Sequence, residues 1–152
     1  MLDLEQELGN VVDALTAERI GYALCGGLAM AVHGAPRATI DIDLLVRPED
    51  VDRIREVVAR HGFTFRALPM TFSEGQVRIE RVTKIDPADG ETLMLDLLVV
   101  TPALEKAWHT RETRQWRGGV LTVVSREGLI QLKSYRSSKQ DQADIERLGS
   151  LG

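Results

Sequence analysis

Two short apolar segments, each with one aspartate set into it, constrain this chain most: Ile42-Asp43-Leu44-Leu45-Val46 and Leu95-Asp96-Leu97-Leu98-Val99. Runs of this length and composition read as buried strands. A carboxylate inside such a strand is costly unless it is paired, hydrogen-bonded or bound to a metal. The first strand is clearest from Ile40 to Val46. There Ile40, Ile42, Leu44 and Val46 fall on one face, and Asp41, Asp43 and Leu45 on the other. Asp41 and Asp43 therefore point the same way. Two ionised carboxylates so placed call for a cation. Hard divalent ions such as Mg2+ take oxygen ligands and sit between carboxylates and substrate phosphates. If the two strands are neighbours, Asp96 joins the pair, and three carboxylates can hold one or two metals over a phosphoryl group. An Asp-x-Asp pair alone is more often a solvated strand end; the third aspartate in a matching strand is what favours the metal reading.

Around these strands, helical and strand-like patterns alternate, which predicts an α/β or α+β fold. Leu4, Leu8, Val11, Val12 and Leu15 are spaced as one helix face, broken by Gly21. Tyr22 to Cys25 reads as a buried strand, followed at once by Gly26-Gly27 and a short helix from Leu28 to His33. Backbone amides at a helix start attract phosphate, and glycines let a ligand come close to the backbone; a plain tight turn would look the same. Neither a Walker A loop nor a GxGxxG fingerprint is present. Pro48, Glu49 and Asp50 open a helix carrying Val51, Ile54, Val57 and Val58, ended by Gly62. Phe63 to Leu68 reads as a strand. Gln76 to Val82 alternates like an exposed strand, which predicts a sheet edge available for pairing. Asp86 to Gly90 reads as a turn, Leu93 to Val100 as the second apolar strand, and the stretch after Pro102, with Trp108 and Trp116, as a polar segment. Val120 to Val124 reads as a strand, Ser125 as the N-cap of a helix through Arg136, and Asp141 to Leu148 as a last helix.

Composition sets outer bounds. The chain has 152 residues, the size of one ordinary domain, with 43% hydrophobic residues. This predicts a single domain over 1–152, with C-terminal helices at about 125–149. The net charge of −4 argues against a general nucleic-acid coat protein. No apolar run approaches the roughly 18 residues of a membrane span, and no secretory signal opens the chain. The lone Cys25 excludes a disulfide framework and a Cys-rich zinc site. A cytoplasmic setting is the expectation.

Taken together, Leu24-Cys25-Gly26-Gly27, then Arg37-Ala38-Thr39-Ile40-Asp41-Ile42-Asp43, then Leu95-Asp96-Leu97 resemble the DNA polymerase β-like nucleotidyltransferase superfamily. The Arg-x-Thr before the first aspartate is similar to small bacterial members, the antibiotic nucleotidyltransferases and abortive-infection toxins. The segment from Leu132 to Ile145 also resembles that group's C-terminal helix pair. The likeness is densest between positions 22 and 46. It implies a mixed β-sheet with helices packed mainly on one face. It implies transfer of NMP from an NTP to an acceptor hydroxyl of an RNA end, a protein or a small molecule, with release of pyrophosphate. Asp41 and Asp43 would bind Mg2+. Asp96 would share a metal and help activate the acceptor, and Gly26 and Gly27 would hold the β- and γ-phosphates.

Other residues carry weaker expectations. Arg37 could contact phosphate or fix an acid, or form a structural ion pair. Thr39 borders the nucleotide region, although a backbone-bonding or strand role suits it better. Lys133 could meet the triphosphate or lie on a solvated helix face, and Arg136 and Lys139 extend that basic patch. Asp144 could cap or pair locally. His33 reads as a satisfied helix histidine, and Cys25, Trp108 and Trp116 as packing residues. The alternative function is a non-catalytic nucleotide-binding or toxin–antitoxin interaction module of the same fold. The small size leaves room for a helical partner protein or a second copy to complete the site.

Overall fold

The computed structural model describes residues 1–151. In chain order the elements are α1 (Leu4–Ala17), β1 (Ala23–Cys25), α2 (Gly26–Val32), β2 (Asp41–Val46), α3 (Val51–Ala59), β3 (Phe63–Arg66), β4 (Met70–Phe72), β5 (Val77–Ile85), β6 (Thr92–Val99), α4 (Glu105–His109), β7 (Glu112–Trp116), β8 (Gly119–Val123), α5 (Arg126–Arg136) and α6 (Lys139–Ser150). The strands form one mixed sheet in the order β3-β5-β6-β2-β1-β8-β7, with β4 also paired to β5. The β2–β6 and β1–β8 pairs are parallel and the rest antiparallel. No helix among the described residues is long and apolar enough to cross a membrane.

The two aspartate strands are neighbours, which meets the condition for Asp96 to join Asp41 and Asp43. β2 and β6 run parallel in register from Asp41 opposite Met94 to Val46 opposite Val99. Ile42, Leu44, Leu95 and Leu97 are fully buried. They share a sheet face with Glu80 and Lys84 of β5, which reach Arg55 of α3 and Glu7 of α1. That face is therefore the one covered by α1 and α3. The opposite face carries Asp41, Asp43 and Asp96. There α5 sets Leu129 and Leu132 beside Leu98 and Asp43.

Local chemistry explains the helix ends. Asp3 caps α1 by accepting from the Gln6 amide, and Ser125 caps α5 through the Gly128 amide. Ser138 and Asp141 form a reciprocal capping box at the start of α6. α1 stops at Ala17, four residues before Gly21, because Arg19 adopts a left-handed conformation (φ 57°).

Four expectations need correction. The strand around Val77 to Val82 is interior: β5 pairs with β6 on one side and with β3 and β4 on the other. Its alternating charges are answered within the fold, Glu80 by Arg55 and Arg78, Arg81 by Asp96, and Lys84 by Glu7. Ile40 lies outside β2 and is 75% exposed. Gly26 and Gly27 are the first two residues of α2, not a turn ahead of it. The segment after Pro102 is not simply polar: it builds α4 and β7, and Trp108 is buried with the Arg111 guanidinium 4.0 Å above its ring.

Candidate active site

Strand register assembles the site. Arg81 lies opposite Asp96, Asp96 opposite Asp43, and Asp43 opposite Cys25, so four residues form one row across β5, β6, β2 and β1. Cross-strand partners share a face, and Asp41, two residues from Asp43, shares it too. The row opens into a pocket of about 350 Å³, bordered by Gly26, Gly27 and the segment from Arg37 to Asp41, and on the far side by α5 and α6.

The aspartates differ in how they are satisfied. Asp96 is 2% exposed, and both of its oxygens accept from Arg81, at 2.7 Å from Nε and 2.9 Å from Nη2. Asp43 has no such partner among the described residues. Burial, then the charges of Asp96 and Asp41, push its carboxyl up to about 7. Asp41 is also raised, by burial and by Asp96. Its Oδ1 is buried and has no hydrogen-bond partner among the described residues. A buried carboxylate oxygen left unpaired is costly, and a hard divalent cation would satisfy it. Asp41 and Asp43 therefore fit a Mg2+ ion that completes its shell with water and phosphate oxygens. Among the described residues the acids do not close into a ready three-donor set.

The two glycines are required by close approach. Gly26 has φ +69°, and a Cβ there would lie 2.1 Å from Asp43 Oδ2. A Cβ on Gly27 would lie 2.6 Å from Thr39 Oγ1. The two positions let the start of α2 sit directly on the Asp43 carboxylate and on the segment that leads into its strand.

The structure brings all the expected residues, Gly26, Gly27, Arg37, Thr39, Asp41, Asp43, Asp96 and Lys133, to this one pocket. Two of the cations are engaged elsewhere. Lys133 is buried and reaches Asp144 at 2.8 Å and Asp141 at 3.9 Å. Arg37 donates from Nε to both oxygens of Asp144, at 2.9 and 3.0 Å. Burial alone would raise the Asp144 carboxyl, but hydrogen bonds from Arg37, Lys133 and Gln140 outweigh it and hold the group below its ordinary range. The Arg37–Asp144–Lys133 cluster thus fastens the segment before β2 to α5 and α6. Arg136 is different: it is exposed, makes no ion pair among the described residues, and stands 5.5 Å over the Phe72 ring. His33 is satisfied by Val124 O at 2.7 Å, and burial pushes the Cys25 thiol well up, so neither supplies a reactive group. Arg81 and Phe72 were not anticipated. The only signal for Arg81 was its place in an alternating strand, and its partner depends on register.

Comparison with solved structures locates this architecture. The antibiotic-resistance factor ANT(2'')-Ia, in its solution structure, aligns over 99% of this chain and 86% of its own, with TM-score 0.63 and 15% identity. TM1012 from Thermotoga maritima aligns over 99% of this chain and 92% of its own, with TM-score 0.57 and 18% identity. JHP933 from Helicobacter pylori covers 97% of this chain but 65% of its own, with TM-score 0.54 and 15% identity. At such identities the likeness concerns the fold. No curated protein matches the sequence. A family model described as nucleotidyl transferase AbiEii toxin of a type IV toxin–antitoxin system matches residues 11–106. That span runs from α1 into α4 and carries both aspartate strands, so the chain belongs to the AbiEii nucleotidyltransferase family.

Proposed function

We propose that this chain transfers a nucleoside monophosphate from an NTP to an acceptor hydroxyl, with Mg2+ held by Asp41 and Asp43. The observation that carries the reading is the unpaired Asp41–Asp43 couple, set against the Gly26-Gly27 start of α2 in one open pocket. The acceptor oxygen bonds to the α-phosphorus, the α–β bridging bond breaks, pyrophosphate leaves and the hydroxyl proton passes to solvent. Mg2+ supplies charge neutralisation on the triphosphate. The protein's own share is positioning: Gly26 and Gly27 offer backbone amides beside Asp43, and Thr39 borders the same phosphate path. The acceptor is an RNA end, a protein or a small molecule. The toxin family points to an antitoxin as protein partner and to a cytoplasmic setting, where NTPs are available.

The reading is tested with α-labelled and γ-labelled NTP in parallel, offered with RNA, protein and aminoglycoside acceptors. The α label should pass to an acceptor only with Mg2+, and the γ label should leave as pyrophosphate. Transfer of the γ label, or release of inorganic phosphate alone, would contradict it.

Two further outcomes follow. Arg136 is the unengaged guanidinium of the pocket, held on the Phe72 face, and we assign it to the triphosphate in place of Lys133. Arg136→Ala should weaken NTP binding about tenfold, the scale of one charge-assisted contact of ~1.4 kcal/mol, and fluorescence-anisotropy titration with a labelled NTP measures it. The second concerns pH. The Asp43 carboxyl, raised to about 7, keeps its proton below that pH in the metal-free protein. Mg2+ must displace this proton, so affinity falls as pH drops through 7. Between pH 8 and pH 6 the loss should be about tenfold, with proton uptake by the buffer on binding. Titration calorimetry in two buffers of different ionisation enthalpy reads both.

A further inference from the structure

Asp96 stands in register beside Asp43, yet a cation already occupies it. Arg81 contacts both carboxylate oxygens from a planar fork, at 2.7 and 2.9 Å, a charge-assisted bidentate pair. A guanidinium does not deprotonate in proteins, so it does not give up this place with pH. The pair is fixed by the sheet, because Arg81 and Asp96 are Cα partners on β5 and β6. The charge count agrees. Asp96 is neutralised by Arg81, which leaves Asp41 and Asp43, two carboxylates that one divalent ion balances. A second divalent ion at Asp96 would have to share both carboxylate oxygens with the fork and lie a few ångströms from the guanidinium charge.

We propose that Arg81 is the built-in cation of the Asp96 side of the pocket, so the chain holds one divalent ion, on Asp41 and Asp43, where three free aspartates would hold two. The inference rests on the nucleotidyltransferase reading and deepens it. Asp96 becomes a positioning residue: it holds the Arg81 guanidinium beside Asp43, and the guanidinium provides fixed positive charge next to the Asp41–Asp43 couple.

Counting bound Mn2+ by electron paramagnetic resonance, without nucleotide, tests this directly. Wild-type protein should bind one Mn2+ per chain. Asp96→Asn should still bind one, because the ion does not use position 96, though more weakly, because the Arg81 charge beside Asp43 is then uncompensated. Arg81→Met should bind two, because it frees Asp96 next to Asp43, and Arg81→Lys should stay at one. Two ions in the wild type, loss of the ion in Asp96→Asn, or a single ion in a folded Arg81→Met would overturn the proposal. If Arg81→Met does not fold, the wild-type and Asp96→Asn counts decide it. No Mn2+ in any protein would instead overturn the metal site on Asp41 and Asp43, and with it the nucleotidyltransferase reading.

Discussion

Asp43→Asn should abolish nucleotide transfer, by on the order of a thousandfold or more, while leaving the fold intact. The size follows from removing a ligand to an ion that supplies several kcal/mol of charge stabilisation at the reacting phosphate. The intact fold follows from the electrostatics of the metal-free site. The Asp43 carboxyl is pushed up to about 7, far above its ordinary value in an unfolded chain, by burial and by Asp96 and Asp41. A carboxyl raised on folding favours the folded state below its unfolded pKa, and that contribution is lost as pH rises through about 7. At pH 8 without metal, the ionised group works against the fold. The neutral isostere should then unfold at a temperature equal to or above that of the wild type. Thermal unfolding at pH 8 in EDTA, beside the transfer assay, separates this outcome from misfolding: inactivity with a lowered melting temperature would contradict the assignment. Gly26 allows this arrangement, since any side chain there would collide with Asp43 Oδ2.

Asp144→Ala should produce the largest loss of stability, about 3–5 kcal/mol. Asp144 is fully buried and accepts from Arg37 and Gln140 while pairing with Lys133 at 2.8 Å. Its removal leaves Lys133, itself 5% exposed, with only Asp141 at 3.9 Å. For a chain of this length the melting temperature should fall by roughly 10 °C or more. Because the Asp144 pKa lies below its ordinary value in the folded protein, its contribution is present at neutral pH and is lost as pH falls through the acid range. Calorimetric melting of the wild type at pH 7 and pH 4, with the variant at pH 7, checks both statements. A variant that melts within 2 °C or so of the wild type at pH 7 would mean that Lys133 finds other partners and is available to substrate.

The comparison of Lys133 with Asp43 shows what sequence could and could not convey. The Asp-x-Asp strand was legible because strand period two fixes a shared face regardless of partners. Both aspartate strands were legible from their apolar pattern, but their pairing was only a condition, which the register of β2 on β6 meets. Helix α5 was legible through its Ser125 cap, whereas α6, expected from Asp141, begins at Lys139 because Ser138 caps it. Lys133 was not. Its helical position is the same whether its amine meets triphosphate or Asp144, and the choice depends on how α6 folds back on α5. Arg81 was hidden for a similar reason. An alternating charged strand looks like a solvent edge until the partners of each charge are known, and β5 has them on both faces. Ile40 continued the apolar alternation in sequence, but the strand begins one residue later and leaves it outside.

A triphosphate site built on Asp41 and Asp43 would bind NTP through a divalent ion. Titration calorimetry of each NTP, with Mg2+ and with EDTA, on the wild type and on Asp41→Ala/Asp43→Ala, tests it most directly. At least one NTP should bind saturably, in a manner that requires Mg2+ and disappears in the double variant. Absence of binding by every NTP in Mg2+, or equal affinity in EDTA, would contradict it.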